Sequence, residues 1–178
     1  MLQNTILSNC SKTTLHPRTF TGLHSLNHLD LSNNLLVQFP AHIFQFIPQI
    51  GSLTLAGNSL STIRQRHFLN LHGLHTLDLS NCSIYNIEEG AFENMDKLTK
   101  LYLKENQLKV LTNLVTFPDS LQVITLQDNP WHCDCKLSQL RLWMAGDSKA
   151  TREVEPICYS PGKLFGYRME VLSFTEFA

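Results

Sequence analysis

Cysteine is the residue type in this chain best placed for chemistry. Cys133, Cys135 and Cys158 gather near the C-terminus, whereas Cys10 and Cys82 stand far upstream. A Cys-x-Cys pair with a later third cysteine has two ordinary uses, zinc ligation and disulfide formation. No well-spaced fourth ligand accompanies the three, so the metal signal is weak. Eight histidines are scattered, and the closest pair, His72 and His75, flanks Gly73 and Leu74, where solvated polar residues explain them. No G-x-S-x-G, H-E-x-x-H, P-loop or Rossmann fingerprint occurs. The sequence therefore offers no catalytic residue and calls for no cofactor. Asn9 and Asn81 each open an Asn-Cys-Ser sequon and are candidate glycan acceptors, although such tripeptides are also ordinary text of the pattern described next, which weighs against occupancy.

The elements that must position these residues are set by a repeat. The pattern L-x-x-L-x-L-x-x-N/C-x-L recurs every ~24 residues, opening at Leu2, Leu26, Ile50, Leu74 and Leu98, and again at Leu121 one position sooner. Its best copies are Leu26-Leu29-Leu31-Asn34-Leu36, Ile50-Leu53-Leu55-Asn58-Leu60 and Leu74-Leu77-Leu79-Cys82-Ile84. The central L-x-L alternates apolar and polar residues as a short strand does. Stacked copies make one parallel sheet, with strands expected near Leu29 to Leu31, Leu53 to Leu55, Leu77 to Leu79, Leu101 to Leu103 and Ile124 to Leu126. The ninth-position asparagine follows the strand, where its amide can satisfy backbone groups of the bend and of the adjacent coil. Cys10 and Cys82 fall in that slot and are expected as buried thiols, three coils apart and too distant to bridge.

A second stripe repeats at the nineteenth position as Phe20, Phe44, Phe68 and Phe92, followed three residues later by Leu23, Ile47, Leu71 and Met95. Packing of the wide outer half of each coil accounts for these rings better than a cofactor slot does. Pro40, Pro48, Gly73 and Gly90 favour turns and short irregular helices, so little α-helix is expected in the repeats. The first repeat is degraded, with Thr5 in place of a core leucine and no polar cap before it. This predicts that the natural protein continues upstream of Met1.

After the last strand the chain reads Asn129-Pro130-Trp131-His132-Cys133-Asp134-Cys135-Lys136-Leu137. Leu137, Leu140, Trp143 and Met144 follow at helical spacing, as for a short amphipathic helix closing the final coil. The block resembles the cysteine-rich C-terminal flank of extracellular leucine-rich-repeat proteins. That resemblance implies a Cys133–Cys158 disulfide, and a partner for Cys135 well beyond Cys158, at about the point where this sequence stops. Pro161, Leu164, Gly166 and the final Phe-Ala look like receptors of the Kekkon type, in which an immunoglobulin domain follows such a cap. The expected fold is an α/β leucine-rich-repeat solenoid over 1–129, with five repeats and a final strand, and a C-terminal cap over 130–178.

Composition narrows the function. With 14 basic and 15 acidic residues no broad field invites nucleic acid, and no apolar run approaches the roughly 20 residues of a membrane helix. The expected role is a protein-binding ectodomain fragment of a cell-surface receptor or adhesion protein, with a type I membrane anchor elsewhere in the whole molecule. Its partner would be another protein, met on the concave face by His28, Asp30, Thr54, Thr76, Asp78, Lys100, Tyr102 and Thr125, beside Ser52 and Val123. Two alternatives from other classes are a Toll-like module recognising microbial glycans or lipids, and the binding arm of a matrix enzyme such as a peroxidasin.

Overall fold

The computed structural model describes residues 3–111, 116–145, 151–152 and 155–173, the pair 151–152 by backbone only. Leu2, which opens the first repeat, and the terminal stretch 174–178 lie outside these. The strands in chain order are β1 (Asn4–Ile6), β2 (His28–Asp30), β3 (Ser52–Thr54), β4 (Thr62–Ile63), β5 (Thr76–Asp78), β6 (Asn86–Ile87), β7 (Lys100–Tyr102), β8 (Val123–Thr125), β9 (Trp131–His132), β10 (Thr151–Arg152) and β11 (Cys158–Ser160).

Seven of them, β1-β2-β3-β5-β7-β8-β10, form one parallel sheet in which every coil lies beside the next. Leu29 pairs with Leu53, Leu53 with Leu77, Leu77 with Leu101 and Leu101 with Ile124, so the register follows the repeat, including its one shorter step. The fold is the expected α/β solenoid. Each strand begins one residue earlier than the L-x-L pattern suggests and is centred on the fourth-position leucine. At the ends of β2 and β5 the turn starts at once, with Asp30 Oδ1 accepting the Ser32 N–H at 2.8 Å and Asp78 Oδ1 that of Ser80 at 2.9 Å. The sixth-position leucines still donate across the coils, as from Leu55 N–H to Asp78 C=O at 2.8 Å.

The ninth-position asparagines stitch the turns together. Asn106 Oδ1 accepts the Cys82 and Ile84 N–H groups, both at 2.9 Å, while its Nδ2 donates to Leu79 and Leu103 carbonyls at 2.9 and 3.0 Å. Asn34, Asn58 and Asn129 make comparable bonds within and between coils. These are groups that would otherwise be buried without partners. The phenylalanine stripe is buried in all four copies. Phe68 stacks on Phe92 at 5.7 Å, Phe92 on Phe117 at 6.0 Å, and Phe117 meets Trp143 at 4.8 Å, so the column runs into the C-terminal segment through Phe117, which lies off the period. Short 3-10 helices, Ala41–Phe46 and Gln65–Phe68, carry two of these rings. Among the described residues, α-helix occurs only as α1 (Ser138–Ala145) in the C-terminal segment.

That segment covers the last coil with Leu137, Leu140 and Met144, all buried. Trp131 is fully enclosed, and its indole N–H donates to the Leu126 carbonyl at 2.9 Å. Cys133 and Cys158 form a disulfide that ties β9 to the parallel β11. Cys10 departs from expectation. Cys82 is buried, but Cys10 is exposed, because β1 is the edge strand of the sheet and among the described residues no coil lies against its outer side. The degraded position Thr5 leaves its own mark, a buried hydroxyl with no hydrogen-bond partner among the described residues.

Candidate functional site

The parallel register lines up two columns of side chains on the sheet. Third-position residues His28, Ser52, Thr76, Lys100 and Val123 stand side by side in one, and fifth-position residues Asp30, Thr54, Asp78, Tyr102 and Thr125 in the other. Neighbouring strands lie about 4.8 Å apart, so these side chains crowd one another. Lys100 is exposed, and His28, Asp30, Ser52, Thr54, Thr76, Asp78, Tyr102 and Val123 are half-buried.

Two parts of this surface differ from a freely presented polar face. Thr125 is only 1% exposed and is withdrawn from it. Its Oγ1 accepts the Leu103 N–H at 3.2 Å, and β10 pairs along β8, so the sixth strand is an interior one. Asp30 and Asp78 are partly committed to their turns. A substitution at Asp78 therefore disturbs the Ser80 turn as well as the surface charge. Lys104, beyond Tyr102, pairs with its neighbour Glu105 at 3.2 Å. The columns also reach further than the repeat pattern suggests, since β1 adds Asn4 and the exposed Ile6 opposite Asp30. The degraded first copy hides them in the sequence, although the alternation Asn4, Thr5, Ile6 would have placed them.

The sequon asparagines Asn9 and Asn81 are both exposed and sit at positive φ, 55° and 51°, in equivalent turns. Burial pushes the Cys82 thiol up to about 11, as suits a packing residue that donates to the Leu55 carbonyl at 3.1 Å. In the C-terminal segment, His132 Nδ1 lies 2.7 Å from Ser160 Oγ and its Nε2 lies 3.6 Å from Asp134 Oδ2. A serine, a histidine and an acid in a row suggest a nucleophile, but the acid is beyond hydrogen-bond length and does not orient the ring. The His132–Ser160 hydrogen bond is a brace between β9 and β11. A cluster of exposed apolar side chains, Ile157, Tyr159, Phe165 and Tyr167, also lies in this segment and follows no repeat period.

Residues 2–60, 48–108 and 72–130 each match the family model of the leucine rich repeat. The chain belongs to the leucine-rich-repeat family. Within that family it is 41% identical over 64 residues to chondroadherin of Mus musculus, 38% over 72 residues to SLIT and NTRK-like protein 6 of Homo sapiens, and 39% over 57 residues to platelet glycoprotein IX of Homo sapiens. These alignments take in 36%, 39% and 28% of this leucine-rich-repeat chain. They span 17%, 9% and 32% of the relatives, so the chain corresponds to about a third or less of each.

Proposed function

We propose that this chain is a protein-binding module of an extracellular or cell-surface protein, acting through the concave sheet rather than through catalysis. The observation that carries this reading is the registered double column over successive coils. It offers polar, charged and aromatic groups on a continuous surface suited to another protein's broad face. Tyr102 is the anchor, a large amphipathic ring of a type enriched at binding hot spots, beside the exposed cation of Lys100. His28, Asp30, Thr54, Thr76 and Asp78 extend the surface toward the first coil.

The likeness to a chondroadherin and to a SLIT and NTRK-like protein supports such a role, and the Cys133–Cys158 bridge suits an oxidising compartment. Residues 130–178 act as the cap that closes the solenoid of 1–129. The Kekkon-type arrangement, a following immunoglobulin domain and a membrane anchor, belongs to the same proposal. The test is a binding screen of the secreted chain against displayed ectodomains, followed by surface plasmon resonance. Tyr102→Ala and Lys100→Glu should each weaken the captured partner by more than about tenfold with an unchanged melting curve. If both retain full affinity while substitutions off the sheet abolish binding, the concave reading falls. Asp78→Lys is the poorer probe because of its turn.

A further inference from the structure

Away from the seven-stranded sheet, in the segments that follow the asparagine turn, the described residues pair over only part of the stack. In the third and fourth coils Thr62–Ile63 and Asn86–Ile87 pair as a small second sheet, with Ser61 and Ile63 carbonyls accepting from β6 and the residue after it. The equivalent stretch of the second coil is Gln38–Phe39, one repeat earlier, and it does not join. The groups that would join it to the third coil are bonded elsewhere. The Phe39 carbonyl is taken by Ala41 N–H at 2.9 Å, Thr62 N–H turns to Leu60 C=O at 2.6 Å, and Arg64 N–H turns to His67 Nδ1 at 3.3 Å. A cleft of about 460 Å³ opens between the two segments.

The walls of the cleft have a definite chemistry. Carbonyls on a strand alternate sides, so with those of Ser61 and Ile63 facing β6, that of Thr62 faces the cleft, and no hydrogen bond reaches it among the described residues. Phe39 forms an apolar wall, its ring stacked on His67 at 4.7 Å, and Val37 stands 61% exposed at the rim. Arg64 and Arg66 line the same cleft. Arg64 Nε already holds Glu88 at 3.0 Å, whereas exposed Arg66 has no acidic partner among the described residues. His67 is neutral near pH 7, so charge in the cleft comes from the guanidinium groups.

We propose that this cleft is a second binding site, for an extended acidic segment of a partner protein. A glutamate or aspartate pairs with Arg66 and the outer face of Arg64, the next apolar side chain rests on Val37 and Phe39, and a backbone N–H donates to the Thr62 carbonyl. A sulfated glycan suits the site less well, because it would meet two guanidinium groups, one already paired, and an apolar wall.

Peptide display on the full chain tests this, with Arg66→Glu and Val37→Trp as counter-targets. Both substitutions fall on exposed side chains, and thermal melts check that each variant is folded. Selected peptides should carry Glu or Asp beside Leu, Ile or Phe. They should lose at least about tenfold in affinity on each variant and keep it on Tyr102→Ala. The proposal is overturned if no peptide is selected, if the selected peptides are not acidic, or if they bind both variants as well as the parent. It is equally overturned if a heparin-derived hexasaccharide binds in an Arg66-dependent way and no peptide does. None of these outcomes bears on the concave sheet, whose own variants report separately.

Discussion

The first and fourth coils carry the same tripeptide, Asn-Cys-Ser, at the same point of the repeat. Their backbones agree, with φ of 55° and 50° at Asn9 and Ser11 against 51° and 56° at Asn81 and Ser83. In both, the cysteine N–H donates to the asparagine of the following coil, Asn34 at 3.2 Å and Asn106 at 2.9 Å. Both thiols lie near the carbonyl two residues back, at 3.3 and 3.4 Å. Only Cys82 also reaches a preceding coil, at Leu55 C=O, and only Cys82 is buried. In a solenoid the local turn and the following neighbour shape the backbone, while burial of the side chain in this slot also needs the preceding coil.

The sharpest test of this contrast is thiol chemistry. At pH 8 Cys10 and Cys135 should be alkylated by iodoacetamide on the folded chain, while Cys82 reacts at least roughly a thousandfold more slowly than Cys10 until denaturant is added. Peptide mapping reads all three, and equal rates at Cys10 and Cys82 would break the comparison. Stability should show the same asymmetry. Phe92→Ala, between Phe68 and Phe117, should cost about 3–5 kcal/mol in urea unfolding. Phe20→Ala should sit at or below the low end of that range, since the edge coil can collapse around the gap.

Next in size, Asn106→Ala strands the buried Cys82 and Ile84 amides and should cost about 2–4 kcal/mol. Asn34→Ala strands the amides of Cys10 and Lys12, which lie on exposed residues and recover water, so the loss should be smaller by about 1 kcal/mol or more. A comparable loss for the two would mean that the first coil is protected after all.

The smallest expected effect concerns His67. Burial, with Arg64 and Arg66 beside it and Glu88 only partly offsetting them, lowers its pKa to about 4 from 6.5. The folded ring resists a proton that the unfolded ring accepts, so its contribution is fully present above pH 6.5 and is lost as pH falls toward 4. With the ring only half-buried, solvent screening holds this to about 1 kcal/mol. His67→Gln should flatten the fall in melting temperature between pH 6.5 and 4, and an unchanged slope would show that the ring is protonated in the folded chain.

Much of this architecture was legible in the sequence. The repeat period placed β2, β3, β5, β7 and β8 to within one residue, and it identified the asparagine ladder and the phenylalanine column. The reason is that each of those positions repeats a contact with the coil immediately before or after it, so the pattern and the contact have the same period. The concave columns at His28, Asp30, Thr54, Thr76, Asp78, Lys100 and Tyr102 follow from the same alternation.

What broke the period was decided by tertiary structure alone. Thr125 looks like any fifth-position residue, yet it is withdrawn, with its hydroxyl on the Leu103 N–H and its strand paired by β10 at Val123 and Ile124. Phe117 carries no repeat signal, yet it bridges Phe92 to Trp143. Cys10 reads like Cys82 and differs only in what lies against its coil. Pro40 is visible as a breaker of structure, but the cleft between the second and third coils depends on how Arg64 and Phe39 spend their own hydrogen bonds. Local chemistry repeats with the sequence, whereas burial is a sum over neighbours that the repeat itself does not encode.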